Sequence, residues 1–178
     1  MELNSEYLTE RLEIRILEAH FDLAKKLLNY VKKNQEHFYF MYGFVDYDSV
    51  EEMYDFLKRR KLANNPFYGL FLKGSDELIG SISMTGYDEK NGKAKIGYTL
   101  DKNFVHQGYM TEAVTFFAEE VMRQGCRKLI AHIDIENVDS QKVCERCGFI
   151  KEARLIKEKF DRHKNEFVDI CLYCKFAS

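Results

Sequence analysis

The chain has 178 residues, 46% hydrophobic and 31% charged, a length and balance that suit one domain spanning residues 1–178 and exclude a disordered chain. Its 27 basic and 29 acidic residues leave a net charge of -2 with no Lys/Arg-rich tract, so no nucleic-acid partner is expected. No apolar stretch approaches the length of a membrane span, and residues 1–10 lack the basic and apolar regions of a secretory signal.

Leu12, Ile14 and Ile16 alternate with Glu13 and Arg15, a first strand. A helix is predicted over residues 20–33, with Phe21, Ala24, Leu28 and Val31 at helical spacing and Leu23 and Leu27 widening the stripe. Residues 37–47 are aromatic and have no clear period. Asp48 or Ser49 caps a second helix carrying Met53, Phe56 and Leu57, which ends before Asn64-Asn65-Pro66.

The period then changes. Residues 68–72 and 78–84 form a hairpin around Lys73-Gly74-Ser75-Asp76, and a turn at 88–92 leads to a strand over 95–100. A glycine-containing loop follows. Met110, Ala113, Val114, Phe117, Ala118 and Val121 then mark an amphipathic helix, with Gly125 where a C-terminal cap belongs. A strand over 128–135, a short helix over 138–146 that stops at Gly148, and strands over 153–160 and 167–175 complete the chain. This order predicts an α/β sandwich of three layers.

One segment carries chemistry. A strand enters a loop at Asp101, and Gly108 leads directly into a helix. The first N–H groups of a helix have no internal partner, and the helix dipole makes that end positive. A pyrophosphate fits there when glycine lets the backbone approach. The bland alternative is an ordinary strand-to-helix turn.

Residues 98–113 resemble the acetyl-CoA-binding motif of the GNAT superfamily of N-acetyltransferases, in its RimJ/RimL-like branch that acetylates ribosomal-protein N-termini. Gly108-Tyr109-Met110-Thr111-Glu112-Ala113 follows that branch closely. The family pattern is Gln/Arg-x-x-Gly-x-Gly; here Asn103 and His106 replace the first polar residue and the first glycine. Leu8-Thr9-Glu10-Arg11-Leu12-Glu13-Ile14-Arg15 is similar to the family's opening strand, and Ile96-Gly97-Tyr98 to the strand before the loop. Asn137-Val138-Asp139-Ser140 followed by Gly148-Phe149, and Asp169 with Tyr173, extend the likeness over nearly the whole chain.

The resemblance implies a mixed, mostly antiparallel sheet that splays near its middle, with acetyl-CoA as co-substrate in the gap. It implies that backbone groups of Tyr98, Thr99 and Leu100 hold the pantetheine arm. A backbone N–H near Leu100 would stabilise the oxyanion. The loop around His106, with the N–H groups of Gln107, Gly108, Tyr109, Met110 and Thr111, would hold the pyrophosphate, and Asn137 would bond the arm from the opposite side. Transfer would be direct, within a ternary complex. Ser140 is the first candidate for the acid that protonates the leaving thiolate. Cys144, four residues on and on the same helix face, is the second, with core packing as its plainer reading. His132, Asp134 and Glu158 are candidate bases. Glu112 reads as structural, a carboxylate suited to the helix dipole.

The expected acceptor is a protein N-terminal α-amine, and the alternative is a small amine such as a polyamine, amino acid or aminoglycoside. Less expected is a module that binds CoA or zinc without catalysis. The aromatics Phe38, Tyr39, Phe40, Tyr42, Phe44 and Tyr47 could line an acceptor cleft, pack in the core or form a homodimer contact. The five cysteines, an odd number, suit a reduced cytoplasmic setting. Cys144-x-x-Cys147 and Cys171-x-x-Cys174 have metal-like spacing, but i and i+3 face opposite ways on a strand, so one ion could not take all four sulfurs.

Overall fold

The computed structural model describes residues 1–40 and 44–177, so Tyr42 lies outside the described residues. In chain order the elements are β1 (Glu6–Leu8), β2 (Leu12–Ile16), α1 (Phe21–Lys33), a short 3-10 turn (Phe44–Asp46), α2 (Val50–Leu62), β3 (Phe67–Leu72), β4 (Leu78–Asp88), β5 (Lys93–Leu100), α3 (Tyr109–Arg123), β6 (Lys128–Asp134), α4 (Val138–Arg146), β7 (Ile150–Asp161) and β8 (Glu166–Phe176). One eight-stranded sheet runs β1-β2-β3-β4-β5-β6-β8-β7. Every neighbouring pair is antiparallel except β5 with β6.

Local signals act where the sequence places them. Ser49 Oγ accepts from the Glu52 N–H (3.2 Å), and the Glu52 carboxylate accepts from the Ser49 N–H (3.2 Å), a complete capping box for α2. All six predicted apolar positions of α3 are buried. Gly125, at φ 101, turns its N–H back to the Met122 carbonyl and closes that helix.

The alternation of the strands divides the apolar side chains between two faces. On one face, Val114, Phe117 and Val121 of α3 pack over Ile14, Tyr68, Ile82, Ile96 and Leu129, with Cys144 of α4 beside them. On the other, Leu27, Val31, Met53 and Leu57 of α1 and α2 pack with Phe67, Phe71 and Leu78. The result is the predicted three-layer sandwich. Each large side chain so buried contributes about 1.5–3 kcal/mol toward the ordering of the chain.

Two details differ from the sequence reading. The sheet has an eighth strand, β1, whose three residues pair with β2 through Tyr7 opposite Ile14; three residues are too few to show a period. On α1, Tyr30 is buried, whereas Phe21 is 56% exposed and stacks on Tyr54 of α2 at 4.5 Å. In that first turn Ala24 takes the core position, and Phe21 packs on a neighbouring helix instead.

All five cysteines are buried thiols. The Cys147 sulfur faces the Thr111 carbonyl and the Thr115 hydroxyl, and Cys174 faces Glu152. Among the described residues no group of His, Cys, Asp or Glu side chains could hold a metal ion, and no helix is long and apolar enough to cross a membrane.

Candidate active site

The parallel strands β5 and β6 pair over only three positions, Lys93 with Lys128, Ala94 with Leu129 and Lys95 with Ile130. Both then continue, β5 to Leu100 and β6 to Asp134, without pairing to each other. Each diverging half is held on its outer side. Gly97 to Leu100 pair with β4, and Ala131 to Asp134 pair with β8. The inner edge of β5 therefore keeps backbone donors and acceptors that the sheet does not use. A cleft of about 400 Å³ lies there, lined by Gly97 and Tyr98 of β5, His132 and Asp134 of β6, Asn137 and Ser140 at the start of α4, and Glu158 and Lys159 of β7.

Tyr98 joins the two sides of this opening. Its hydroxyl donates to the Ser140 carbonyl and accepts from Ser140 Oγ, both at 3.0 Å, and the Cys144 sulfur lies 3.3 Å away. With the phenol proton committed to the carbonyl, the Cys144 thiol is the donor in the third contact. Burial pushes the Tyr98 phenol well above its usual range and the Cys144 thiol up to about 12. Ser140 lines the cleft; Cys144, fully buried, does not. Asn137 is the N-cap of α4, its side-chain oxygen accepting from the Ser140 N–H at 3.1 Å.

The loop from Asp101 to Gly108 is gripped from two directions. On the α1 side, buried Asp101 accepts from Asn34 Nδ2 (3.1 Å) and the Asn103 N–H (2.9 Å) and pairs with Lys33 Nζ (2.8 Å). Asn34 also takes the Lys102 N–H at 2.9 Å. Just before the loop, the Tyr30 hydroxyl donates to Thr99 Oγ1 (2.8 Å), which also bonds Ser81 (2.7 Å). On the other side, Arg11 reaches across from the start of β2. Its Nη1 donates to the Gln107 carbonyl (2.9 Å) and its Nε to Glu112 Oε2 (2.7 Å).

The first hydrogen bond of α3 runs from the Glu112 N–H to the Gly108 carbonyl, so the N–H groups of Tyr109, Met110 and Thr111 have no acceptor within the helix. Gly108 is the N-cap, at φ 84, and brings no side chain over them. His106 is exposed and takes φ 59, the left-handed conformation that glycine favours. An L residue pays about 1–2 kcal/mol for that geometry, and the surrounding clamps hold it.

Of the candidate bases, His132 stands exposed at the cleft; partial desolvation lowers its pKa, with Lys95 adding to the effect and Glu158 opposing it. Its imidazole is therefore neutral at neutral pH. Asp134 is buried and accepts the Glu136 N–H at 3.0 Å. Glu158 is exposed on the cleft wall. Lys159, its pKa lowered by burial, donates to the Phe40 carbonyl at 3.0 Å. Of the aromatics in question, Phe40 lines the cleft, Tyr39 stacks against His163 of the β7–β8 turn at 4.6 Å, and Phe38 and Phe44 belong to the core beneath α1 and α2.

Arg11, Asn34, Lys33 and Lys159 were not legible as site residues in the sequence. The partners lie 101, 67 and 119 positions away in the bonds Arg11–Glu112, Asn34–Asp101 and Lys159–Phe40, Lys33 shares Asp101 with Asn34, and no local pattern announces such pairs.

Residues 11–150, most of the chain, match the acetyltransferase (GNAT) domain. The chain belongs to the GNAT acetyltransferase family. It is 32% identical over 101 residues to the ribosomal-protein-serine acetyltransferase of Escherichia coli (strain K12), covering 56% of this chain and 55% of that one. It is 27% identical over 107 residues to the uncharacterized N-acetyltransferase p20 of Bacillus licheniformis, covering 60% and 59%. The chain thus spans less than two thirds of the length of these two relatives. Among solved structures, RimL, a ribosomal L7/L12 alpha-N-protein acetyltransferase in complex with coenzyme A, superimposes with a TM-score of 0.86 at 23% identity over 96% of both chains. That likeness is one of fold: the GNAT sheet, opened between its parallel strands, is the architecture seen here.

Proposed function

We propose that this protein transfers the acetyl group of acetyl-CoA to a primary amine, and that its acceptor is a protein N-terminal α-amine. The observation that carries the reading is the parting of β5 from β6 beyond Lys95 and Ile130, with the start of α3, which no side chain caps, one loop beyond the end of β5. The residues present fit acetyl-CoA. The free edge of Tyr98, Thr99 and Leu100 suits an extended amide-bearing arm. The N–H groups from Gln107 to Thr111 suit a pyrophosphate, with His106 beside them. Asn137, its oxygen spent on the cap, offers its amide N–H across the gap. Acetyl-CoA supplies an activated acyl thioester.

The protein's own groups do the rest. A backbone N–H near Leu100 faces the negative charge that develops on the acyl oxygen. Ser140 Oγ lies on the cleft wall with its proton donated to Tyr98, and rotation of that hydroxyl out of the Tyr98 bond would bring the proton to the departing sulfur. Neutral His132 accepts a proton from the incoming amine, with Glu158, Asp134 and Lys159 beside it on the cleft wall. An α-amine, with a pKa of about 7.7–8.0, is partly neutral already, whereas a Lys amine near 10.4 is not. One weakly placed imidazole therefore suits the α-amine. The likeness to a ribosomal-protein-serine acetyltransferase points to a ribosomal protein as acceptor, and hence to a cytoplasmic setting.

The test is a set of initial rates with acetyl-CoA and three acceptors: a peptide with a free N-terminus, the same peptide blocked there but carrying Lys, and spermidine. Turnover confined to the first supports the reading. Turnover confined to spermidine replaces the acceptor. Intersecting double-reciprocal lines indicate a ternary complex, and parallel lines would exclude direct transfer.

A further inference from the structure

Arg11 lies outside the cleft, yet it touches both sides of Gly108. Its Nη1 holds the Gln107 carbonyl at 2.9 Å, and its guanidinium lies over the Tyr109 ring at 4.4 Å. Its Nη2 comes within 3.2 Å of the place a Cβ on Gly108 would occupy. One turn into α3, Glu112 Oε2 takes Arg11 Nε (2.7 Å), and Oε1 takes the Arg11 backbone N–H (2.8 Å) and the Thr9 hydroxyl. These bonds hold the Glu112 carboxyl below its usual range against the opposing effect of burial, so the pair is ionised.

We infer that Arg11 is a positioning residue for the nucleotide half of acetyl-CoA: it sets the phosphate-facing peptide at Gly108 and cancels the Glu112 charge that would repel the phosphates. This rests on the reading under "Proposed function". In a planar trans peptide the C=O and the following N–H point opposite ways. With the Gln107 carbonyl turned to Arg11, the Gly108 N–H is turned away from it, toward the open side of the loop. Release of that carbonyl would let the peptide rotate and aim an oxygen at the phosphates. The second effect is electrostatic. An anion near the start of a helix is favourable by itself, but a carboxylate there competes with a phosphate for the same partial positive charge. Arg11 neutralises Glu112 and leaves that charge for the phosphates.

A fastening of the β2 start to α3, and nothing more, is the rival. The two are separated by kinetics with acetyl-CoA and with S-acetylpantetheine, which carries the thioester but neither pyrophosphate nor nucleotide. Arg11→Gln is expected to raise KM for acetyl-CoA about tenfold while kcat, and all constants for S-acetylpantetheine, stay within about twofold. Arg11→Lys keeps a charge for Glu112 but not the planar fork that also reaches Gln107. It should stay folded and still show the part of the KM defect that comes from release of the Gln107 carbonyl, which keeps the test open if Arg11→Gln does not fold. Equal losses with both thioesters, or no loss with either, would overturn the inference. Wild-type protein that neither binds nor turns over acetyl-CoA would overturn the proposed function as well, and that is seen before any variant is compared.

Discussion

The hydroxyl oxygens of Tyr98 and Ser140 lie 3.0 Å apart and tie the free half of β5 to the first turn of α4. The same phenol donates to the Ser140 carbonyl and takes the Cys144 thiol. One side chain thus props the opened sheet and holds the hydroxyl of the candidate acid.

Removal of that phenol oxygen separates the two roles. Tyr98→Phe should keep the fold but lose about 1–2 kcal/mol, because the half-buried Ser140 hydroxyl and the buried Cys144 thiol lose a partner. Its kcat should fall about tenfold with KM for acetyl-CoA little changed. Ser140→Ala should lower kcat at least as much. Unchanged turnover in Ser140→Ala, with acetyl-CoA still bound, removes Ser140 as the acid. Urea unfolding and initial rates supply both readings.

His132 makes a pH prediction. Partial desolvation, aided by Lys95, depresses its pKa below the ordinary histidine value of 6.5, against the pull of Glu158. The neutral, proton-accepting form is therefore full at neutral pH and is lost as pH falls through the depressed value. With the amine acceptor saturating, so that its own ionisation does not enter, the acid limb of kcat/KM for acetyl-CoA should lie below 6.5. His132→Gln should remove that limb, and Glu158→Gln should move it lower by removing the opposing charge. An acid limb left in place in His132→Gln would show that another group takes the proton.

Asp101 predicts an acid-sensitive loop. Burial opposes its ionisation, but Lys33, the Asn103 N–H and Asn34 together hold its pKa below 3.8. A carboxyl depressed in the folded state stabilises above its unfolded pKa and loses that contribution as pH drops through the folded one. The wild-type protein should therefore gain sensitivity to acid only below about pH 4. Asp101→Ala should cost about 2 kcal/mol at neutral pH, where Asn34 and the Asn103 N–H are left without their acceptor. Thermal melts between pH 3 and 7 would show the difference between the two proteins shrinking at the acid end.

Gly108 makes a backbone prediction. Its φ of 84 disfavours a side chain, and an added Cβ would lie 3.2 Å from Arg11 Nη2. Gly108→Val should weaken acetyl-CoA binding at least about tenfold, since a β-branched residue at positive φ is strained and would cover the start of α3. Calorimetric titration with acetyl-CoA measures it. Wild-type affinity in this variant would place the phosphates elsewhere.

Much of this protein was determined by residues acting on near neighbours. The stripe of α3, the Ser49–Glu52 capping box and the closure at Gly125 each depend on groups a few positions apart. For the same reason the loop before α3 could be singled out: a glycine ahead of a helix is a local fact. Tertiary structure decided the rest. The sheet order sets β5 beside β6 and then parts them at Lys95 and Ile130, and no pattern within either strand encodes where a parallel pair separates. Ser140 and Cys144 share a helix face in the sequence, and only the packing of α4 against the opened sheet puts one in the cleft and the other in the core. Arg11 met Glu112 only when the sheet brought β2 under α3. Chemistry that depends on long-range pairs is settled by packing, because the free energy that forms such pairs comes from burying both faces of the sheet together.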